Sequence, residues 1–575
     1  MSEPSSPALP ADWPADFVFK NGKIVTVDAR DTIAQAIAIA GDRILAVGPD
    51  AAMAAHIATG THVTDLAGRC VVPGLTDGHA HMDREGLRAV FPSLGPVRSI
   101  RDIQDRIAEL ARGRRPGEWI VTMPIGEPPF YFGVPECLAE RRWPVRQELD
   151  AAAPGNPVYI RAIWGYWRGT APIVSCANTA ALRHAGVGRD TISPVPALTI
   201  EKDANGDPTG VFVEDEMQPV AEMLWFREAT RFTHEDRRRA LAASMRAYHA
   251  AGTTGIYEGH GVADEVLRVY REARREGSLT IRSALAFSAD WSAADETQLG
   301  EFVAGLRREA ASGDAWLKMD GLYVHLGRSE ADDARARAAP YTGWAGFNAA
   351  HGLPRERAKE LLLQCARQDV RAAAIAGGGG LGMLDLFEEV DREIPLKGRR
   401  WVLSHVNVIS PRDVERIARL GLVLTTHTNA YLGKALGATA ARLPRERHGD
   451  IVPMRSLREA GITVSLATDN VPVSLWHPVA QTVMRRDPRT QAAVAPEQAL
   501  SRMEALRCAT ANGAYLTFDE AERGTLEPGK LADLAVLSGD PLTAAEERLS
   551  AISAVMTMTG GRAVHGAPEI LDSVK

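Results

Sequence analysis

Short runs in which apolar and polar residues alternate occupy both ends of the chain, while the middle interleaves helical stretches with brief apolar runs. The leading runs are FVFKNGKIVTVD, AQAIAIAGDRILAVG and THVTDLAGRCVVPG; the trailing ones are GTLEPGKLADLAVLSGDP and AISAVMTMTGGRAVHG. Successive side chains of a strand point to opposite faces, so this alternation predicts half-buried β-strands. Asn21-Gly22 and Gly41-Asp42 read as hairpin-type turns between them. The two β-rich ends are expected to pair into one small β-sandwich, residues 16–72 with 515–575, preceded by a loose Pro, Ser and Ala-rich tail at 1–15.

The middle has the pattern of repeated βα units. Its strands are expected in VVPGLTDGHAH, TTGIYEGH, TIRSALAF, AWLKMDGLYV, VRAAAIAG, RRWVLSHV, LGLVLTTHTN and ITVSLATDN, with helices such as HEDRRRALAASMRAYHAAG and PRDVERIARLG between them. Eight such units predict an α/β fold, a (β/α)8 barrel spanning 73–514. The interval 83–226 is too long for one crossover and reads as an insertion after the first strand, a cap over the active face.

Composition narrows the class. Hydrophobic residues make up 45% of the 575 and charged residues 24%, as in ordinary soluble globular proteins. The net charge is −7 and the basic residues are scattered, so no stripe is formed for nucleic acid or an anionic membrane. No apolar stretch is long enough to span a bilayer. Cys70, Cys137, Cys176, Cys365 and Cys508 are odd in number, far apart and without a CxxC pair. They suggest neither a disulfide framework nor a thiolate zinc site. With no signal-like N-terminus, a cytoplasmic location is the expectation. The expected partner is a small-molecule substrate, and a homodimer is compatible with the pattern.

Three short segments carry chemistry. In PGLTDGHAHMD, His79 and His81 stand two residues apart at the end of a strand, so both imidazoles face one way and can share a cation. In LATDN, Asp469 ends the last strand, where a carboxylate can bind a metal and take a proton from activated water; the alternative is a cap for the following turn. In WVLSHVN, His405 ends the sixth strand and reads as a ligand or as the group that polarises a carbonyl; the alternative is a hydrogen-bonded core histidine.

On these residues the chain resembles the amidohydrolase superfamily, which shows PGxxDxHxH on strand one, a His on strand six, an Asp on strand eight and a tail like GTLEPGKLADLAVL. More narrowly it is similar to the YtcJ-like (Amidohydro_3) branch, which includes N-substituted formamide deformylases. NTAALRHAGV, DPTGVFVEDE, GTTGIYE, PYTG and LDLFEEV support this, and the likeness spans Asp16 to Gly566. The resemblance implies a barrel with a terminal β-sandwich and one or two divalent metals, usually zinc. Water activated by the metal would attack a carbonyl while Asp469 shuttles the proton.

Two positions depart from that pattern. The strand-five histidine of the family is replaced by Ala373, which cannot ligate. The lysine whose carbamate can bridge two metals has two counterparts: strict alignment puts Trp316 there, and Lys318 lies on the same strand face. Lys318 is either a metal ligand or a buried lysine paired with Glu258 or another carboxylate. Glu258 and His260 in YEGHG, His325 in YVHLG and His427 in TTHTN are candidates to compensate, as ligands or as substrate contacts. Glu214 lines a pocket or belongs to a solvated acidic run. The tetraglycine Gly377–Gly380 is a flexible turn or an anion nest. Trp164, Tyr166, Trp167, Trp225, Phe226, Trp344 and Trp476 lean towards an apolar or aromatic substrate, with Trp164 and Trp344 foremost.

The reading is therefore metal-dependent hydrolysis of a non-peptide C–N bond in a small organic molecule. His79, His81, Lys318, His405 and Asp469 are the expected ligands, with Asp469 and His405 also catalytic. The rivals are a lyase, hydratase or decarboxylase of the same superfamily, and an inactive binding protein.

Overall fold

The computed structural model describes residues 13–566 apart from 129–130, 132, 169–170, 292–295, 311, 328, 339–340, 349–351, 377–381, 406, 427 and 470. Eight parallel strands form its centre: β1 (Leu75–Asp77), β2 (Thr253–Val262), β3 (Arg282–Phe287), β4 (Leu317–Leu326), β5 (Ala372–Ile375), β6 (Val402–Ser404), β7 (Val423–Thr426) and β8 (Val464–Leu466). They are hydrogen-bonded in chain order. The seam between β8 and β1 is closed past the strand ends by Gly78 N donating to Leu466 O and Asp469 N to His79 O, each at 2.9 Å. This is the (β/α)8 barrel that the eight runs predict.

Inside the barrel, Tyr257, Ala284, Ala286, Tyr323, Ala373, Val402 and Val423 pack together. Ala373 stands in register with Tyr323 on β4. A small residue on one strand makes room for a large ring on its neighbour, which is how a narrow barrel fills its axis. That packing is the structural role of Ala373.

Both chain ends build two further sheets. One orders the strands 43–48, 36–40, 17–20 and 62–65; the other orders 562–565, 554–559, 534–537, 70–73, 23–25 and 33–34. Phe19, Ile37, Ile39, Leu66, Val71, Leu534 and Met556 fill the space between them. The Gly41-Asp42 turn joins a hairpin as expected. Asn21-Gly22 does not: the strands on either side enter different sheets, because residues 17–20 pair with 36–40 and 62–65 while 23–25 pair with 33–34 and 70–73. A Cβ on Gly22 would lie 2.3 Å from Leu66 Cδ1, so this corner needs glycine for space.

The insertion after β1 carries a five-stranded sheet ordered 198–202, 208–214, 173–177, 158–160 and 120–122. Its Trp164 and Trp167 pack with Tyr341, Trp344 and Phe347 from the loop after β4 and with Val471 after β8. The insertion therefore sits on the C-terminal end of the barrel, where strand tips converge. No helix among the described residues is long and apolar enough to cross a membrane, and all five cysteines are free.

Candidate metal centre

His79 and His81 follow the short β1, and the carboxylate of Asp77 fixes the turn that carries them. Asp77 Oδ1 accepts from His79 N at 3.2 Å and Thr468 N at 3.0 Å, and Oδ2 accepts from Thr468 Oγ1 at 2.5 Å. One buried side chain thus ties the His-x-His turn to the residue preceding Asp469. Burial pushes the Asp77 carboxyl up to about 6, against the Thr468 and His79 hydrogen bonds that hold it down.

From β2 come Glu258 and His260, two residues apart, with Gly259 between them. A Cβ on Gly259 would lie 2.7 Å from the Tyr257 ring and 3.1 Å from His79 Nδ1, so only glycine lets β2 pass so close to the first histidine. The β2–β3 register shifts between Glu258 and Val262, a bulge of the kind that re-aims side chains at barrel rims. His260 stacks on Phe347, with ring centroids 4.3 Å apart, and meets Tyr323 at 4.7 Å.

His405 follows β6 and Asp469 follows β8, and both have φ of +60°. Left-handed backbone at a non-glycine residue costs roughly 1–3 kcal/mol and persists only where surroundings impose it. The fold carries that cost at both of these strand tips. Tyr431 Oη donates to His405 O at 3.1 Å, holding the second turn in place.

The side chains converge. His79 Nε2 and His405 Nε2 face each other at 3.3 Å. Asp469 Oδ1 lies 2.8 Å from His81 Nε2 and 4.0 Å from His79 Nε2. His81 Nδ1 meets Glu258 Oε1 at 2.7 Å. Two triads, His79–His81–His260 and His79–His405–Asp469, each bring their donor atoms within 4.8 Å of one another and share His79. Burial and the Arg84 charge disfavour the His81 imidazolium, yet Glu258 and Asp469 outweigh them and hold it up at about 9. Burial raises Glu258 to about 6, with His81 opposing.

The residues fit a divalent cation. Imidazole and carboxylate donors suit zinc and its first-row neighbours. The Glu258–His81 pair is the carboxylate-to-histidine arrangement that orients metal-binding imidazoles. Glu258 Oε2 is buried with no hydrogen-bond partner among the described residues, a lone-pair surplus typical of a site built for positive charge.

Other expected residues lie elsewhere. Lys318 sits near the start of β4, roughly 20 Å of strand below the tip at His325. Its ammonium donates to Thr517 O and Asp519 Oδ1, both at 2.6 Å. Burial opposes the Asp519 charge, but Arg523 and Lys318 hold its carboxyl down at about 2. Lys318 thus takes the ion-paired role, with Asp519 instead of Glu258 as partner, and the expectation of a metal ligand there is corrected. Glu214 points inward to cap a turn, accepting from Val220 N at 2.5 Å and Ala221 N at 3.3 Å, not into a pocket.

Among the aromatics, Trp344 covers Arg161 with the cation 4.3 Å from its ring, and Trp476 donates to Ala251 O at 3.0 Å; both are packing residues. Phe226 stacks on Tyr159 inside the insertion, where Trp225 meets Phe212. Trp167 lines the cavity beside His81, and Trp164 lies over Arg84. His325 Nδ1 stands 3.2 Å from Tyr323 Oη, one side chain removed from His260. His427, the tetraglycine and the Tyr166 side chain lie outside what the structure describes.

Sequence reasoning passes over four participants. Asp77 is visible in the motif only as a spacer. Lys434 donates to Trp167 O at 2.8 Å and is held down to about 8 by burial, with Asp469 opposing. Tyr431 and Phe347 come from loops with no local signal. The alternation Glu-Gly-His-Gly was the available sign that β2 runs against other side chains.

The model of the amidohydrolase family matches residues 62–565. The N-substituted formamide deformylase of Arthrobacter pascens is 27% identical over 567 residues, covering 95% of this chain and 97% of that protein. A structure of an uncharacterized metal-dependent hydrolase from Pyrococcus furiosus superposes with a TM-score of 0.65 at 21% identity, covering 92% of this chain and 100% of that one. Atrazine chlorohydrolase from Arthrobacter aurescens, solved with zinc, gives a TM-score of 0.53 at 16% identity over 97% and 98% of the two chains.

Proposed function

This chain belongs to the amidohydrolase family, and from that premise we propose that it cleaves an amide-type, non-peptide C–N bond in a small organic molecule. His79, His81, His260, His405 and Asp469 would hold one zinc ion. The observation that carries the reading is the approach of His79 Nε2 to His405 Nε2 at 3.3 Å, inside two donor triads that share His79. Such an ion, when bound, supplies Lewis acidity that lowers the pKa of water towards neutrality and polarises a carbonyl. One ion suffices here, since Lys318 is committed to Asp519 and Ala373 to the barrel interior.

The side chains divide the remaining work. Asp469 takes the proton of the attacking water and returns it to the leaving nitrogen, which departs as the amine. Asp77, through Thr468, keeps that carboxylate at the seam. Glu258 fixes the His81 ring so that Nε2 faces Asp469. The insertion and the loop after β4 roof the site with Trp164, Trp167 and Phe347, excluding bulk water. The relation to a formamide deformylase supports N-substituted formamides as the first compounds to try.

The test is a panel of amides given to zinc-loaded protein with detection of released amine. Release by the wild type, with metal and activity both lost in His79→Ala, is the expected result. A zinc-loaded enzyme that frees no amine but carries out double-bond or CO₂ chemistry would replace hydrolysis by a lyase or decarboxylase reaction.

A further inference from the structure

Beside the histidine cluster, the helices that begin on the C-terminal face of the barrel enclose a second space. A cavity of about 930 Å³ opens between the starts of helices His234–Ala250 and Asp264–Arg275 and the segment that follows β3. None of His79, His81, His260, His405 and Asp469 lines it. Asn348 does, while its neighbour Phe347 stacks on His260. One loop therefore forms a wall between the two sites.

Part of the lining is aromatic. Trp291 meets Phe302 edge-on at 5.2 Å between ring centroids, and Phe302 meets Phe287 at 5.6 Å. The polar part of the lining has an excess of donors. Among the described side chains that line the cavity, the buried polar atoms without a hydrogen-bond partner are Trp291 Nε1 and Arg237 Nε and Nη1. All three carry N–H groups, and none is an acceptor. Trp291 is 8% exposed and Arg237 4%, so water does not readily satisfy them. The remaining Arg237 nitrogen, Nη2, donates to Glu265 Oε1 at 2.9 Å, Thr342 Oγ1 at 3.1 Å and Gly343 O at 3.0 Å. Helix Asp264–Arg275 begins at the same wall with Ala263 as its N-cap, which offers no side chain to the first-turn amides. A helix start of this kind adds positive potential. The exposed Arg231 and Arg268 offset the exposed Asp264 and Asp290, which leaves the interior donors to select the occupant.

We propose that this cavity is a binding site for an aromatic carboxylate, with its ring against Phe287, Trp291 and Phe302 and its oxygens on the indole N–H of Trp291 and the unbonded edge of Arg237. The volume lies in the range that holds small organic molecules. A carboxylate offers acceptors only, and its bonds to a guanidinium are charge-assisted. An ammonium would face these N–H groups with donors of its own, and a hydrocarbon would leave them unsatisfied. The site is separate from the metal centre and does not depend on the hydrolysis proposed above.

Calorimetric binding of 2-naphthoate, 2-naphthamide and 2-naphthylmethylamine tests it on the zinc-loaded protein and on His79→Ala, in which no zinc is left to hold a carboxylate. Arg237→Gln also breaks the bonds to Glu265 and Gly343, so the deciding variant is Trp291→Phe, which keeps a ring in the aromatic cluster and removes only the N–H. One 2-naphthoate per chain should bind His79→Ala, at least about 10-fold more tightly than the amide, and the same site should be about 10-fold weaker once Trp291→Phe is added. Equal affinity with and without Trp291→Phe would overturn the site. So would binding that disappears with the zinc, tighter binding of the amine than of the carboxylate, or no binding of 2-naphthoate at all.

Discussion

Replacing Asp77 separates the clasp that positions the ligands from the ligands themselves. Asp77 is fully buried and accepts three hydrogen bonds, two from backbone N–H groups and one from the Thr468 hydroxyl. Alanine would leave all three donors unbonded. At about 1–3 kcal/mol per buried unsatisfied group, Asp77→Ala should lose about 3–9 kcal/mol, a large share of the stability of an ordinary domain. Asparagine keeps one carbonyl oxygen for the two N–H groups and presents an amide to a hydroxyl that can rotate to accept. Its loss of charge-assisted bonding, about 1 kcal/mol per bond, is offset by relief of the burial cost that pushes the native carboxyl up to about 6. Asp77→Asn should therefore differ from wild type by no more than about 2 kcal/mol. Urea unfolding followed by circular dichroism, with zinc stoichiometry measured on the same samples, reads both effects. Full zinc in Asp77→Asn alongside marked destabilisation of Asp77→Ala is expected. An alanine variant as stable as wild type refutes the clasp; an asparagine variant that folds but loses its zinc makes Asp77 a ligand.

Other substitutions probe separate parts of the account. Lys318→Met should keep wild-type zinc content and lose only stability, because its ammonium is bonded to Thr517 and Asp519 at the far end of β4; a metal-free variant would restore the bridging-lysine reading. Glu258→Gln should weaken zinc binding by about 10–100-fold in a chelator competition, the usual effect of removing the partner of a ligating histidine; unchanged affinity would show that His81 needs no such orientation. His249 bonds Thr253 O at 3.0 Å and Thr280 Oγ1 at 2.9 Å, and burial holds it down to about 4. Its folded pKa lies below the unfolded value, so its contribution is present above about pH 6.5 and is lost as pH falls towards 4, about 3 kcal/mol in all. In His249→Gln the loss of stability over that window should shrink; an unchanged acid profile assigns the window to other groups.

Much of the architecture was legible in the pattern of apolar positions. Six of the eight barrel strands fall within the marked runs and β2 and β4 overrun theirs by two residues, because a strand feeding a helix leaves both signals in one segment. His79, His81, His405 and Asp469 were legible for the same reason, as each ends a run. His260 was legible only as a strand-end candidate, ligand or substrate contact alike, since its place beside His79 depends on a bulge in β2 and on Gly259 passing that histidine. Lys318 misled because position along a strand is invisible in one dimension: the correct strand face was inferred at the wrong end of the barrel. The Asn21-Gly22 turn misled likewise, as the turn residues are the same whether the next strand pairs with its neighbour or crosses to another sheet. Asp77 lies inside the most visible motif, yet its role depends on Thr468, a partner distant in sequence.

The central claim is that strand tips bring four imidazoles and one carboxylate around a single cation. Anomalous diffraction at the zinc edge from crystals of the zinc-loaded protein tests it directly. One peak within bonding distance of His79, His81, His260, His405 and Asp469, with Lys318 still on Asp519, is the predicted result. A peak bound elsewhere, or none among these side chains at full zinc occupancy of the protein, would contradict it.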